Sequence, residues 1–146
     1  MIKYTEVILK NGLKVVNFSS PQTMRFTDGS VLEGCPKKRY LLLRPSVTIQ
    51  EMRWEFKEVC DLKIVLNITS SIIKELRKID YNKSVDIIIV DSELGRAIQE
   101  YSRRIGGIPF YLRKCKLAYS DSSRKEFYHN KFVNLFKGKV LWEKIA

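Results

Sequence analysis

The residues best placed for chemistry lie in the segment 90–96, where Asp91 and Glu93 follow directly on an apolar run and Arg96 comes one helical turn later. The end of a buried strand that leads into a helix is where α/β proteins place ligands, because the free amides there can hold phosphate. However, Asp91 and Glu93 put negative charge where an anion would bind. A carboxylate at such a step ordinarily caps the helix. We therefore favour a capping role for Asp91.

Paired carboxylates could also hold a divalent metal for phosphodiester cleavage. The candidates are Asp86 with Asp91 and Glu93, or the group Glu51, Glu55 and Glu58. In a strand, however, Glu51 and Glu55 would share one solvated face with Arg53 and Lys57, where they would form cross-strand ion pairs. A metal-dependent nuclease, or an enzyme with a phosphate ligand at the Asp91 and Glu93 step, is the alternative function.

Residues for nucleophilic or zinc chemistry are few. The three cysteines, Cys35, Cys60 and Cys115, are odd in number and widely spaced, so they predict neither a disulfide framework nor a zinc site. His129 is the single histidine, which excludes metal sites built on two histidines. We predict no cofactor and no bound metal.

The distribution of charge is the most informative feature of the chain. Its 146 residues contain 27 Lys and Arg against 16 Asp and Glu, a formal net charge of +11. Residues 51–100 are slightly acidic, whereas residues 101–146 hold 11 basic and 3 acidic side chains. Since a uniformly basic chain would indicate only general solubility, this asymmetry favours a localised anion-binding surface in the C-terminal third.

Two basic clusters are the candidate binding residues, and both contain or adjoin aromatic residues. Lys and Arg supply most of the sequence-independent affinity for nucleic acid, and exposed aromatics can stack on unpaired bases. The partner is predicted to be nucleic acid, or an acidic or nucleic-acid-binding host protein, and not a membrane. The predicted binding residues are Lys37, Lys38, Arg39, Arg103, Arg104, Arg113, Lys114, Lys116, Arg124, Lys125 and Lys131.

The first half of the chain is predicted to be β-rich. Apolar runs on either side of Asn11 and Gly12 predict one hairpin, and a second is predicted over residues 23–32 around the turn at Asp28 and Gly29. Residues 34–39 are predicted as a loop and residues 40–43 as a short strand ended by Pro45. The alternation of apolar and charged residues favours a strand at 52–59, although a capping box at Thr48 and Glu51 also fits a helix there.

The second half is predicted to alternate strands and helices. Strands are expected at 62–66, 85–90 and 108–112, and helices at 70–79 and 91–105, the latter closed by Gly106. This order predicts β-α-β units over 62–90 and 85–112 with parallel pairing. A basic amphipathic terminal helix is predicted from Ser123, with an apolar stripe of Tyr128, Phe132, Leu135 and Phe136, and residues 140–142 as an edge strand.

Several short motifs resemble a group of small uncharacterised phage and archaeal-virus proteins. They are Lys14-Val-Val-Asn-Phe-Ser-Ser-Pro21 followed by Phe26-Thr-Asp-Gly-Ser-Val-Leu32, then Arg53-Trp-Glu-Phe-Lys-Glu-Val59 and Ile88-Ile-Val-Asp-Ser-Glu-Leu94. The resemblance covers about half of the chain, and Gln22 stands where the group has a histidine. It implies a strand at 52–59 and a viral or mobile-element origin, but no activity and no site residues.

Taken together, these features predict one α+β domain over residues 1–146, with a β-rich N-terminal half and a β-α-β C-terminal half. With no signal-peptide pattern and no apolar run of bilayer length, the chain is expected in the cytoplasm of a host cell. The predicted function is that of a small basic accessory protein that acts as a binder or inhibitor, with the enzyme described above as the alternative. Its target would be nucleic acid or a host nucleic-acid machine such as RNA polymerase or a CRISPR effector.

Overall fold

The computed structural model describes residues 4–53, 60–80, 84–109, 112, 116–119, 126–136 and 140–142. These residues confirm the α+β class and the β-rich N-terminal half. Within them, no helix has the length and apolar character that crossing a bilayer requires. The elements in chain order are β1 Thr5–Ile8, β2 Lys14–Asn17, β3 Met24–Arg25, β4 Val31–Leu32, α1 Lys37–Leu42, β5 Ser46–Arg53, β6 Cys60–Asn67, α2 Ser70–Asp80, β7 Ile87–Val90, α3 Ser92–Ile105, β8 Lys116–Tyr119, β9 Lys131–Val133 and β10 Val140–Trp142.

A four-stranded sheet in the order β1-β2-β7-β8 organises the molecule. β1 and β2 form the first predicted hairpin, which turns at Gly12 with a φ of 89°. β2 then pairs with β7 in parallel, and β7 pairs with β8 in parallel. The centre of the sheet is therefore made of strands from distant parts of the sequence.

Both faces of this sheet are covered, as the continuous apolar sequence of β7 requires. On one face Ile88 and Val90 pack with the inner residues of α2 and α3, including Ile72 and Leu94. On the other face Ile87 and Ile89 pack with Met24, Leu32 and Phe132 from β3, β4 and β9. Successive residues of β7 thus enter two different cores, because side chains alternate along a strand.

Two further hairpins lie outside the main sheet. β3 and β4 pair antiparallel around Gly29, whose φ is 90°, which confirms the second predicted hairpin. β5 and β6 form a longer ribbon in which Ser46 pairs with Asn67 and Arg53 with Cys60. This ribbon confirms the strand predicted at 62–66 and the start of the one at 52–59. Residues 54–59 lie outside the described part of the chain.

The prediction of a strand at 40–43 after a loop is wrong, because Lys37–Leu42 forms the helix α1. Lys, Arg and Leu are good helix formers. Pro36 is compatible with the start of a helix, because the N–H that proline lacks would have no partner within the helix at this position. The turn places Arg39 and Leu43, four residues apart, in the interior.

The predicted β-α-β unit at 62–90 is also wrong. β6 pairs with β5 within the described residues, whereas the parallel neighbours of β7 are β2 and β8. The strand and helix assignments inside that unit are correct, and α2 lies close to its predicted bounds. The error lies in the pairing, which the sequence of β6 alone does not specify.

The second β-α-β unit is present, but its return strand comes later than predicted. α3 is capped by Asp91 and ends at Gly106, in the left-handed conformation, as predicted. The strand predicted at 108–112 is instead β8, Lys116–Tyr119. Leu112 N donates to Pro109 O at 2.9 Å, and Pro109 has no N–H for a strand ladder.

The prediction of a basic terminal helix is wrong as well. Residues 126–136 contain the strand β9 and turns, while residues 123–125 lie outside the described part. Phe132 enters one core and Leu135 the other, and Tyr128 is exposed, so the helical spacing of these residues does not make a common face. The Asn134 side chain accepts from Phe136 N at 3.0 Å, which favours a turn. β10 confirms the predicted edge strand and pairs with β9.

Gly34 allows its loop to approach the loop that contains Pro21 closely. A methyl group at this position would lie 2.4 Å from Pro21 O, whereas one at Gly107 would meet nothing within 4 Å. We expect Gly34→Ala to lower the free energy of unfolding by about 1–3 kcal/mol, the range typical of overpacking. Urea denaturation should show this loss in Gly34→Ala and little change in Gly107→Ala. Equal stability of the two variants would contradict the close approach.

Candidate functional site

The loops that follow β2 and β7 meet at one edge of the sheet, because parallel strands end on the same side. Ser19 Oγ donates to Asp91 Oδ1 at 2.6 Å, and Asp91 N donates to Ser19 Oγ at 3.1 Å. Asp91 Oδ2 accepts from Leu94 N at 3.5 Å, so Asp91 is the N-cap of α3. Both Ser19 and Asp91 are buried.

Arg44 completes this cluster by binding both carboxylate oxygens. Its Nη1 donates to Asp91 Oδ2 at 2.9 Å and its Nη2 to Asp91 Oδ1 at 2.5 Å. Tyr40 fixes the guanidinium, since Arg44 Nε donates to Tyr40 O at 3.1 Å and Cζ lies 3.8 Å from the centre of the Tyr40 ring. Glu93 lies 3.6 Å from Arg44 Nη1, with about half of its side chain exposed. Asp91 therefore ties α1, β2, β7 and α3 together.

This geometry favours the structural role of Asp91 over a catalytic one. Both of its oxygens already accept hydrogen bonds from Arg44, and its charge is paired with a cation. Asp86 lies at the other end of β7, where its Oδ2 accepts from Lys14 N at 2.9 Å. Asp86 and Asp91 are five positions apart in the sequence, about 16 Å along a strand, which is too far for them to share one metal ion. Among the described residues, no cluster of three or more His, Cys, Asp or Glu could hold a metal.

Arg39 is part of the interior rather than of a basic surface, contrary to its place among the predicted binding residues. Its exposed fraction is 5%, its Nε donates to Cys35 Sγ at 3.3 Å, and its Cζ lies 4.9 Å from the centre of the Tyr4 ring. Tyr4 stacks on Phe18, and its hydroxyl donates to Glu75 Oε2 at 2.6 Å. The tripeptide Lys37-Lys38-Arg39 therefore leaves two of its three cations exposed.

The hydrogen bond between Tyr4 and Glu75 affects the titration of both groups. Burial and the bond to Glu75 raise the pKa of Tyr4 above its ordinary value. Burial alone would raise the pKa of Glu75 too, but hydrogen bonds from Tyr4 and Lys78 outweigh it and leave this pKa lowered. Glu75 thus stays ionised in the folded protein to a lower pH than in the unfolded chain.

The other predicted binding residues are distributed over two ends of the sheet. Arg103 and Arg104 are exposed at the end of α3, near the sheet edge where Lys116 begins β8. Lys37 and Lys38 are exposed near the opposite edge, next to Cys35 and the loop after β2. Lys131 begins β9, which runs antiparallel to β8 and so starts toward that opposite edge. The remaining predicted cations, Arg113, Lys114, Arg124 and Lys125, lie outside the described residues.

A cleft of about 210 Å³ lies between β6 and α3. Arginines line one side of it and aliphatic side chains the other, and Arg104 Nη1 donates to Asn67 Oδ1 at 3.3 Å beside it. The sequence does show Arg96, Glu100 and Arg103 at helical spacing away from the apolar stripe of α3, but it does not show that β6 lies against them. The lining residues are Ile64, Val65, Leu66, Arg96, Gln99, Glu100 and Arg103.

Comparisons of the chain with protein-family models, with curated proteins and with solved structures gave no match. The likeness to small viral proteins therefore remains a prediction from the sequence.

Substitution of either partner of the Arg44–Asp91 ion pair should strongly reduce the stability of the fold, without removing a catalytic group. We expect Asp91→Ala to lower the free energy of unfolding by about 3–5 kcal/mol, because it leaves a partly buried guanidinium with only the half-exposed Glu93 as a counter-charge and removes a helix cap. Urea denaturation provides the measurement, with Glu93→Gln as the exposed control that changes stability by less than about 1 kcal/mol. The double variant Arg44→Met with Asp91→Ala should lose less than the sum of the single losses. Additive losses would show that the pair does not act as a unit.

The lowered pKa of Glu75 predicts how stability depends on pH. The stabilisation is fully present above the ordinary carboxyl pKa of about 4.3, and it is lost as the pH falls through the lower pKa of the folded state. Between about pH 5 and about pH 3, unfolding free energies should therefore fall more steeply in the wild type than in Glu75→Gln. Tyr4→Phe should show an intermediate slope because Lys78 still pairs with Glu75. Parallel profiles for all three proteins would contradict this assignment.

Proposed function

We propose that this protein is a non-enzymatic accessory protein that binds nucleic acid through a basic surface of its C-terminal third. The observation that carries the proposal is the arrangement of α3. This helix buries its apolar stripe in the core and holds Arg96, Arg103 and Arg104 exposed. The likeness to small viral proteins supports an origin in a virus or mobile element.

The positive charge of the chain is unevenly distributed. The net charge of +11 belongs mainly to the C-terminal third, and two of the described arginines stand at the sheet edge where β8 begins. Lys and Arg that contact phosphates release bound counterions, which supplies affinity without sequence preference. A surface of this kind requires no catalytic residue, and the paired state of Asp91 agrees with a binding role.

A second candidate partner is a host protein that itself binds nucleic acid, such as RNA polymerase or a CRISPR effector. The β5–β6 ribbon favours it, because Val47, Ile49 and Ile64 are exposed, and Ile49 and Ile64 are directly paired on one face. Exposed aliphatic side chains on a common face are typical of protein contacts. The basic surface would then face the acidic rim of that protein and act as an inhibitor.

The nucleic-acid proposal predicts a specific effect of the α3 arginines. Electrophoretic mobility shifts with single-stranded and duplex probes should be strong at about 50 mM salt and weak at about 300 mM salt. Arg103→Gln with Arg104→Gln should weaken binding and reduce the logarithmic salt slope on duplex DNA by about 2, the value for two lost phosphate contacts.

The matched control is Lys10→Gln with Arg25→Gln, which removes the same charge from exposed positions on the N-terminal hairpins. An equal loss in both double variants would assign the effect to net charge and contradict a localised surface. The absence of any shift at low salt would overturn nucleic-acid binding, and a purified host protein would then be the partner to test.

A further inference from the structure

The cleft between β6 and α3 combines an apolar side with a charged side. Ile64 has an exposed fraction of 68%, the largest among the exposed apolar side chains of the described residues, and it lines the cleft beside Leu66. Arg96 and Arg103 line the opposite side. A ligand that fits this cleft must therefore offer an apolar surface and negative charge together.

The charges on the α3 side follow a fixed order. Arg96, Glu100 and Arg103 stand at i, i+4 and i+7, which places them along one face of the helix with the carboxylate between the two cations. The two arginines are separated by about 10.5 Å of helix axis. Arg103 Nη2 pairs with Glu100 Oε1 at 3.3 Å, so one carboxylate oxygen is already used. Along the cleft, Arg96 and Arg103 can each bind an anion, and Glu100 between them can accept a hydrogen bond from a donor group.

We propose that this cleft binds one unpaired base of a single-stranded nucleic acid. The face of the base packs on Ile64 and Leu66, an exocyclic amino group donates to Oε2 of Glu100, and Arg96 and Arg103 contact the phosphates on either side. This inference rests on the proposed function and specifies the form of nucleic acid that is bound. It also explains why an acidic residue stands inside a basic surface, since a carboxylate repels phosphate but accepts from amino groups of bases.

The size of the cleft favours a base over larger ligands. Its volume of about 210 Å³ is below the range of about 300–1,000 Å³ found for sites of drug-sized ligands. In a duplex the bases are stacked and paired, so their faces cannot reach an apolar wall without being flipped out. Unpaired bases offer their faces freely, which is why single strands are bound by stacking and apolar contact beside a basic groove.

The test measures fluorescence anisotropy with labelled oligo-dC, oligo-dT and a duplex of equal length. Cytosine carries an exocyclic amino donor at N4, whereas thymine carries the acceptor O4 at that position. We expect single strands to bind more tightly than the duplex, and oligo-dC more tightly than oligo-dT. Glu100→Ala should abolish the preference for oligo-dC, because it removes the acceptor for the amino group, while oligo-dT binding stays the same or tightens because the carboxylate no longer repels phosphate.

A matched pair of variants tests the apolar side of the cleft. Ile64→Glu and Val47→Glu add the same charge at exposed positions of the same ribbon, but Val47 does not line the cleft. Ile64→Glu should weaken oligo-dC binding by at least about fivefold more than Val47→Glu does, since Ile64 lines the cleft and supplies apolar contact to the base, whereas Val47 does not line it. Urea denaturation of both variants verifies that each is folded before binding is compared.

The outcomes separate this inference from the proposed function. Equal binding of duplex and single strands, with equal effects of the two ribbon variants, would overturn the cleft assignment while the basic surface still binds nucleic acid. Failure of all three probes at low salt would overturn both. A labelled peptide of alternating Glu and Leu that binds with the same sensitivity to Ile64→Glu, where oligo-dC does not bind, would assign the cleft to a protein partner instead.

Discussion

The ion pair between Arg44 and Asp91 is the interaction on which the arrangement of the elements depends. Asp91 ends β7, caps α3 and bonds to Ser19 after β2, while Arg44 follows α1 and leads into β5. The pair is mostly buried, so neither partner can be removed without leaving a charge in a poorly hydrated place. Through this one contact, the direction of the β5–β6 ribbon is coupled to the position of α3. One wall of the cleft, α3, begins at Asp91, and the other, β6, is paired with the strand β5 that follows Arg44.

A second constraint is that the strand β7 must be apolar on both faces. Its four residues are fully enclosed, with two of them in each core. The helices α2 and α3 cover one face, and the β3–β4 hairpin with β9 covers the other. This division leaves the polar side of α3 free to carry its arginines, which is the condition for any role of this helix in binding.

Local signals in the sequence were sufficient where a short segment determines its own conformation. Glycines with positive φ mark both hairpins, and the Asp91 cap with the Gly106 stop marks α3, so these elements were predicted correctly. The errors arise where distant contacts decide. The aromatic stripe from Tyr128 to Phe136 suits a helix, but Phe132 and Leu135 pack into opposite cores. Distant contacts also decide the pairing of β6, which the sequence predicts in a unit with β7 but which pairs with β5.

The candidate site shows the same division between local and distant information. The capping role of Asp91 was predictable from its position, whereas its pairing with Arg44, 47 residues earlier, was not. The sequence predicts Arg39 as a surface cation because charged side chains are usually solvated, yet it is buried beside Tyr4 and Cys35. The cleft could not be predicted, since it forms between segments separated by about 30 residues that share no sequence pattern.

The parallel pairing of β2 with β7 has a consequence for the order in which the chain folds. Val15 pairs with Ile87 and Asn17 with Ile89, so more than 70 residues must be closed into a loop before the centre of the sheet can form. Contacts of such sequence separation slow folding, whereas the hairpins and the ribbon close locally and early. During synthesis β2 has left the ribosome long before β7 is made. Until then the edge of β2 at Val15 and Val16 lacks its parallel partner, and an unpaired strand edge is a place where another chain can pair.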